Sequence, residues 1–333
     1  ASRVLYMFNP SRTQGCPVVP MAIKLSCMRQ STRPAESQVY LRAMWTQAMK
    51  RAVEWALEED LGSGDCTSLS SVPEEMEHEG FILAKEDGVL AGVEVARHVF
   101  DLVDASVTFE ALRPDGAHVA FGEAVIKVKG PARSILSAER LALNFMQRMS
   151  GVATMANRAQ ALLDGTGARV LDTRKTTPGL RAFEKWAVAL GGGTNHRMGL
   201  YDMVLIKDNH VDYAGSMTDA LRGVHRYFEK GAERVPVVVE VRSMEELREA
   251  RHAASEVGLA LTRLLLDNFT PDQAREAVVE VAGALPLEAS GGIDLTNLRA
   301  YGEAGVNFVS MGALTHSVKS LDLSLKSQPV LSA

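Results

Sequence analysis

From Arg169 onward the chain repeats one unit, a short apolar run followed by a helical pattern, and that rhythm restricts the fold more than any other feature. The candidate strands are Arg169–Asp172, Met203–Lys207, Val237–Val241, Leu264–Asp267, Leu287–Ser290 and Phe308–Met311. The stretches between them start as helices do. Ser243 with Glu246 reads as a capping box, and Thr270, Pro271 and Gln273 supply an N-cap, a first-turn proline and its partner. Asp294 reads as the next cap. Repeated strand-then-helix units imply a parallel sheet, either closed into a barrel or doubly wound. Spacing alone does not separate those two.

The region before this rhythm reads differently. Met49, Ala52, Val53, Ala56 and Leu57 fall at helical spacing between Trp45 and Glu59, and Gly62-Ser63-Gly64 ends that helix. Glu79–Ala91, Val107–Ala111 and Ala124–Val128 read as strands, punctuated by Asp87-Gly88 and Asp115-Gly116 turns. Strands in succession predict an α+β domain, a sheet with helices on one face, ending near Pro131. A helix then opens at Ser137, carrying Arg140 and the apolar residues Leu141, Leu143, Phe145 and Met146.

With 333 residues, 46 % of them apolar, the chain can bury one large or two moderate cores, as a soluble α/β enzyme does. No apolar run approaches the roughly 20 residues that span a bilayer, so no membrane partner is expected. A net charge of −5 argues against general nucleic-acid binding. Three cysteines, Cys16, Cys27 and Cys66, are odd in number and widely spaced, which suggests neither a disulfide framework nor a zinc site. Cys66 reads as a small filler. In residues 1–42 the bases Arg3, Arg12, Lys24, Arg29, Arg33 and Arg42 face one acid, Glu36, among several hydroxyl residues. That is the composition of an organellar transit peptide, with a disordered extension as the alternative.

Against the acidic background, Arg174, Lys175, Arg181, Lys185, His196, Arg197 and Lys207 crowd into one stretch between Asp172 and His210. Several sit at the ends of apolar runs, Lys207 most clearly. Cations held on a dry scaffold suit a polyanionic small substrate. The unusual polar residues Asp172 to Lys175, Lys207, Glu240, Asp267, Ser290 and Gly312 all fall at the C-terminal ends of candidate strands, the rim where α/β barrels build their sites. Ser290-Gly291-Gly292 and Met311-Gly312-Ala313 follow the last two strands, where backbone N–H groups cradle phosphate in many barrels. Gly191-Gly192-Gly193 follows a helical stretch instead, so it is no dinucleotide fingerprint, and no Walker motif is present.

Eight segments, in order, resemble the quinolinate phosphoribosyltransferases: LSAERLALNFMQRMSGVAT, DTRKTTPGLR, GGGTNHRMGLYD, LIKDNH, VVEVRS, LLLDN, LEASGGI and SMGALTHSVKSLDLSL. They run in order from Leu136 to Leu325. The resemblance decides for the barrel and implies an N-terminal α/β sandwich beside a short, six- or seven-stranded α/β barrel. It divides the chain into residues 43–139, with 314–333 packing back, and 140–313.

The resemblance further implies transfer of phosphoribosyl from 5-phosphoribosyl-1-pyrophosphate to quinolinate, with decarboxylation to nicotinate mononucleotide, in NAD biosynthesis. Arg140, Thr173, Arg174, Lys175, His196, Arg197 and Lys207 correspond to the quinolinate clamp. Glu240 and Asp267 correspond to the ribose- and metal-side carboxylates, and Ser290, Gly291, Gly292, Met311, Gly312 and Ala313 to the phosphate turns. Mg²⁺ is expected with the pyrophosphate substrate. A homodimer, or a hexamer of dimers, is expected to donate Arg140 across its interface. The compartment expected is a plastid, with mitochondrion or cytoplasm as alternatives. Two rivals stand beside this reading: a nicotinate-using transferase, whose clamp would serve one carboxylate, and a barrel aldolase or isomerase forming a Schiff base on Lys207 or Lys175. A non-enzymatic binding role is the third.

Overall fold

The structure, a computed structural model, describes residues 45–329, so the expected targeting segment at 1–42 lies outside the described residues. Helix α1 (Gln47–Leu61) begins where Thr46 accepts the Met49 N–H at 3.3 Å, and buries Met49 and Val53. Helix α2 (Cys66–Ser71) is capped by Asp65 and buries only Ser68. Cys66 is therefore exposed and fills nothing, contrary to the expectation from its turn-like setting.

The predicted strand Glu79–Ala91 is two elements, β1 (Glu77–Ala84) and β2 (Gly88–Val89). The break falls at residues 85–87, and beyond it Gly88 and Val89 pair with Val119 and His118 rather than extending β1. Val89 and Ala91 give their N–H groups to Thr154 Oγ1 and Ser150 Oγ, both at 2.9 Å, instead of to a neighbouring strand. Helix α3 (Val93–Val103), β3 (Thr108–Ala111), β4 (His118–Val119) and β5 (Ala124–Pro131) follow. Helix α4 (Ala132–Leu162) starts at once after Pro131, earlier than the Ser137 expected, with the Ala132 N–H bonded to Met76 O at 2.8 Å. The last strand, β12 (Leu323–Pro329), returns to pair antiparallel with β1, giving a sheet of order β12-β1-β5-β3. Ile82, Ala84, Ile126 and Val128 face its core, while Glu79 and Lys127 pair at 3.0 Å on the other side.

The strand-helix rhythm gives β6 (Arg169–Leu171), α5 (Arg181–Leu190), β7 (Val204–Ile206), α6 (Asp208–Ala214), α7 (Met217–Glu229) and β8 (Val237–Val241). Next come α8 (Met244–Val257), β9 (Arg263–Asp267), α9 (Pro271–Val281), β10 (Leu287–Ser290), α10 (Leu298–Ala304), β11 (Phe308–Ser310) and α11 (Ala313–His316). These strands are parallel in the order β6-β11-β10-β9-β8-β7. The first strand pairs with the last, which a closed barrel requires and a doubly wound sheet does not supply. The seam lies between β6 and β7, where Thr194 bridges Leu171. Asp172, Lys207 and Met311 lie just past the strand ends expected to hold them.

Caps agree in part with the sequence. Thr270 and Gln273 form both bonds of a capping box behind Pro271. Ser243 accepts the Glu246 N–H, but the Glu246 carboxylate turns to the Arg242 N–H at 2.7 Å, leaving half a box. Asp294 does not cap α10. It accepts from the Thr296 N–H at 2.8 Å in a turn upstream, and Asn297 precedes the helix.

Outward-facing Val237, Val239, Val241, Leu264, Leu266 and Val309 pack into the main core, while Leu205, Val238 and Leu265 form a separate apolar cluster within the barrel. Helix α4 joins this barrel to the antiparallel sheet, and its Gly151 touches the chain entering β12. A Cβ there would lie 2.3 Å from Lys319 O. Gly151→Ala is expected to destabilise the fold by about 1–3 kcal/mol through overpacking against backbone. Urea unfolding measures it, and an unchanged midpoint would show that α4 and the β12 entry do not pack this closely.

Candidate active site

A cavity of about 840 Å³ opens at the C-terminal ends of the barrel strands. Of the clamp residues expected, Thr173, Arg174, Lys175, His196, Arg197 and Lys207 line it. Glu240, Asp267, Ser290, Gly291, Gly292, Gly312 and Ala313 complete the opposite wall. Met311 does not line it, being buried in the core at 1 % exposure. Arg140 does not line it either; it lies exposed on α4. Sequence reasoning missed Asn268, Glu288, Asp294, Ser310 and His316, which also line the cavity. Glu288 and Ser310 sit within strands, inward of the rim that drew attention to the others. A charge inside LEAS was the signal available.

Behind the cations that line the cavity lies a set of buried polar groups outside its lining. Lys185 and Asp172 are each fully buried and ion-paired. Burial pushes the Asp172 carboxyl up and the Lys185 amine down, against their mutual attraction. Asp172 also accepts the His196 N–H at 2.8 Å and an Asn195 amide hydrogen at 2.7 Å, and Lys185 donates to His196 O at 3.0 Å. The backbone of residues 195–196 is thus fixed against the end of β6. Arg181, another member of the basic stretch, serves Met198 O and Thr176 instead.

Arg197 is buried and its Nη1 donates to Met203 O at 3.2 Å. Burial, and then the charge of Arg174, hold its guanidinium below the ordinary value. Neither Arg174 nor Lys175 forms an ion pair among the described residues. Lys207 is the exception, with Nζ 2.7 Å from Glu240 Oε2. Cations crowded without matching acids raise the local positive potential, and an incoming polyanion relieves their repulsion.

His196 departs from its expected place among the cations. Its Nδ1 accepts the Arg197 N–H at 2.7 Å, so the ring proton of the neutral form sits on Nε2. Burial first, and then Arg263, Lys185, Arg197 and Lys207, push its pKa down to about 3. His196 is a neutral donor.

The glycine turns of the cavity differ in how strictly they need glycine, Gly291 most and Gly312, with φ −63°, least. Gly291 has φ +99° and a Cβ there would lie 2.2 Å from Asn268 Oδ1. At Gly312 a Cβ would meet Lys175 Cδ at 3.0 Å and the His316 ring at 3.1 Å. The two walls are tied together. Thr315 Oγ1 donates to Lys175 O at 2.8 Å, and Arg148 of α4 bridges Thr315 O at 2.5 Å and Glu184 Oε1 at 2.7 Å. Glu184 in turn accepts from the Thr177 hydroxyl at 2.8 Å.

A parallel barrel whose rim sets unpaired cations opposite carboxylates and glycine turns defines an enzyme for polyanionic small substrates. The sequence matches the model described as "Quinolinate phosphoribosyl transferase, N-terminal domain" over residues 65–150 and its C-terminal-domain counterpart over residues 152–326. The chain belongs to the quinolinate phosphoribosyltransferase family. It is 42 % identical over 317 residues to the chloroplastic nicotinate-nucleotide pyrophosphorylase [carboxylating] of Oryza sativa subsp. japonica, covering 91 % of this chain and 85 % of that one. It is 43 % identical over 318 residues to the mitochondrial quinolinate phosphoribosyltransferase [decarboxylating] 2 of Nicotiana glauca, covering 92 % and 90 %. The solved nicotinate-nucleotide pyrophosphorylase of Francisella tularensis superposes with a TM-score of 0.79 at 36 % identity, covering 84 % of this chain and 96 % of that one.

The neutral state of His196 gives a test. Its folded pKa of about 3 lies below the ordinary 6.5, so below pH 6.5 the unfolded chain binds a proton that the folded chain refuses. Its contribution to stability is therefore complete above 6.5 and is lost as pH falls from 6.5 towards 3. The His196 ring resonances should stay those of a neutral imidazole down to the acid limit of the fold. A midpoint near 6.5 would contradict the assignment.

Proposed function

We propose that this chain transfers the phosphoribosyl group of 5-phosphoribosyl-1-pyrophosphate to quinolinate, releasing pyrophosphate and carbon dioxide and forming nicotinate mononucleotide. The observation that carries the reading is the set of cations at Arg174, Lys175 and Arg197 beside Lys207, most of them without a paired acid among the described residues. Two adjacent carboxylates match two guanidinium forks, which bind carboxylate in a bidentate manner that a lysine cannot reproduce. The family membership and the names of the plant relatives support the same substrate.

On this reading the clamp fixes the pyridine nitrogen against the ribose carbon, and orientation supplies much of the rate. Glu240 and Asp267 face the ribose, where departing pyrophosphate leaves positive charge that carboxylates stabilise. The turns at Ser290 to Gly292 and at Gly312 and Ala313 take the phosphate ends. Ribosylation makes the ring nitrogen cationic, so it stabilises the carbanion left at C2 when the 2-carboxylate leaves as carbon dioxide, and that carbon then takes a proton from water to give nicotinate mononucleotide. The two rim carboxylates fit a hydrated Mg²⁺ shared with pyrophosphate, since this ion needs few protein ligands. When bound, it offsets the charge of the leaving group.

We further read the working unit as a homodimer, or a hexamer of dimers, in which Arg140 completes the partner's clamp; its exposure on α4, away from the cavity of its own chain, supports this. The return of β12 to β1 supports a division into a sandwich, 43–139 with 314–333, and a barrel, 140–313. The composition of residues 1–42, with the chloroplastic and mitochondrial names of plant relatives, supports delivery to a plastid, a mitochondrion being the alternative.

An assay with Mg²⁺ and 5-phosphoribosyl-1-pyrophosphate should turn over quinolinate at least about 10³-fold better than nicotinate, which lacks the second carboxylate and leaves part of the cation set, the buried Arg197 included, without a partner. Comparable turnover of the two acids would refute the dicarboxylate clamp.

Arg140→Ala and Lys207→Ala homodimers should each be nearly inactive. Refolded together with random pairing, they should regain about a quarter of the wild-type sites, because a two-fold interface places each residue once per site. No recovery, with subunit exchange verified by mass, would show that Arg140 acts within its own chain.

A further inference from the structure

Beneath the clamp the barrel interior holds charge where such barrels normally stack branched apolar residues. Glu288, on β10, is fully buried at the floor of the cavity, and the proposed reaction gives it no part. Three groups surround its carboxylate. Arg263 Nε of β9 lies 2.5 Å from Oε2 and Arg263 stacks on the Phe308 ring at 5.1 Å. The Ser310 hydroxyl of β11 donates to Oε1. His196 Nε2 stands 3.5 Å from the same Oε1. Isolating a carboxylate in this way is costly, and an apolar pair of the same volume would stabilise the barrel as well or better. The arrangement calls for a role beyond stability.

That role follows from the donors. Nδ1 of His196 is occupied by the Arg197 N–H, and the Asp172–Lys185 pair holds the His196 backbone. The free ring donor is Nε2–H, and among the described residues Glu288 Oε1 stands 3.5 Å from it. We propose that Glu288 is a positioning residue for the acceptor substrate: by presenting one carboxylate oxygen to Arg263 and the other to Ser310 and His196, it works with the Arg197 N–H to hold the His196 ring in its Nε2–H tautomer and its orientation at the cavity. This rests on the reading of the cavity as the quinolinate site, although the tautomer itself is measured without any substrate.

Glutamine at 288 separates this role from packing, because it keeps the volume but offers one acceptor oxygen. Arg263 is donor-only and claims that oxygen, so the amide NH₂ turns towards Ser310, whose hydroxyl can accept it, and towards His196 Nε2–H, which cannot. Glu288→Gln should therefore lower kcat/KM for quinolinate by about 10-fold or more, while the fold survives. In a His196→Ala background the same change should cost less than about 2-fold, since the residue it acts through is gone. Adding Arg263→Met to Glu288→Gln frees the amide to turn its oxygen to His196, and should restore activity to within about 3-fold of wild type.

The spectroscopic arm uses the ligand-free enzyme. Nitrogen-15 shifts of His196 should report protonated Nε2 and bare Nδ1 in the wild type, a mixture or displaced ring in Glu288→Gln, and the wild-type pattern again in the Arg263→Met double variant. The proposal falls if Glu288→Gln leaves the His196 nitrogen shifts unchanged. It falls equally if the kinetic loss persists undiminished without His196, which would place Glu288 in direct contact with substrate, or if a folded double variant regains neither shift nor activity. Should quinolinate prove not to be the substrate, the nitrogen shifts still decide the positioning claim by themselves.

Discussion

The site depends on one buried ion pair, Lys185 with Asp172. Lys185 comes from α5 and Asp172 from the end of β6, so the pair draws the connection between them across the open seam of the barrel. Asp172 then holds the His196 N–H, and Lys185 holds His196 O. Breaking such a pair on one side leaves an unpaired charge in the interior, a cost of about 3–5 kcal/mol. The cations that face the cavity keep their places because two other charges, hidden behind them, satisfy each other.

A cavity lined by like charges is unstable on its own terms, and the fold manages this by separation. Arg174 and Lys175 ride on an exposed loop where solvent screens them, while the buried Arg197 is held below its ordinary basicity. The histidine at the centre is neutral, which keeps one more charge out of the crowd. Arg148 and Thr315 then link the loop carrying the cations to the turn at Gly312, so that the two walls keep their spacing. The link runs through α4, the helix shared by the antiparallel sheet and the barrel. Function at the rim is thus coupled to the packing between the two layers.

Much of this was legible in the chain. The strand rhythm placed every barrel strand within a residue or two of its position, because apolar runs bounded by caps carry their own period. Rim polarity found Arg174, Lys207, Glu240, Asp267 and Gly291, since a polar residue ending an apolar strand has few structural uses. The same rule passed over Glu288 and Arg263, which lie inside strands and pair with each other only after the barrel closes. It misplaced Met311, whose side chain turns to the core while its glycine neighbour faces the cavity. The predicted strand Glu79–Ala91 is split because its second piece pairs with His118 and Val119 and is tied to hydroxyls of α4, partners distant in sequence.

What the sequence determined by itself was local: periodicity, caps, glycine turns, and the gathering of bases between Asp172 and His210. Those are set by neighbours along the chain. Closure of the barrel, the seam beside β6, and the sorting of bases into those that line the cavity and those paired behind it were decided by the tertiary structure. A lysine and an arginine read alike in a sequence. Whether each meets a buried carboxylate, as Lys185 does, or an empty cavity, as Lys175 does, depends on contacts between strands that only folding brings together.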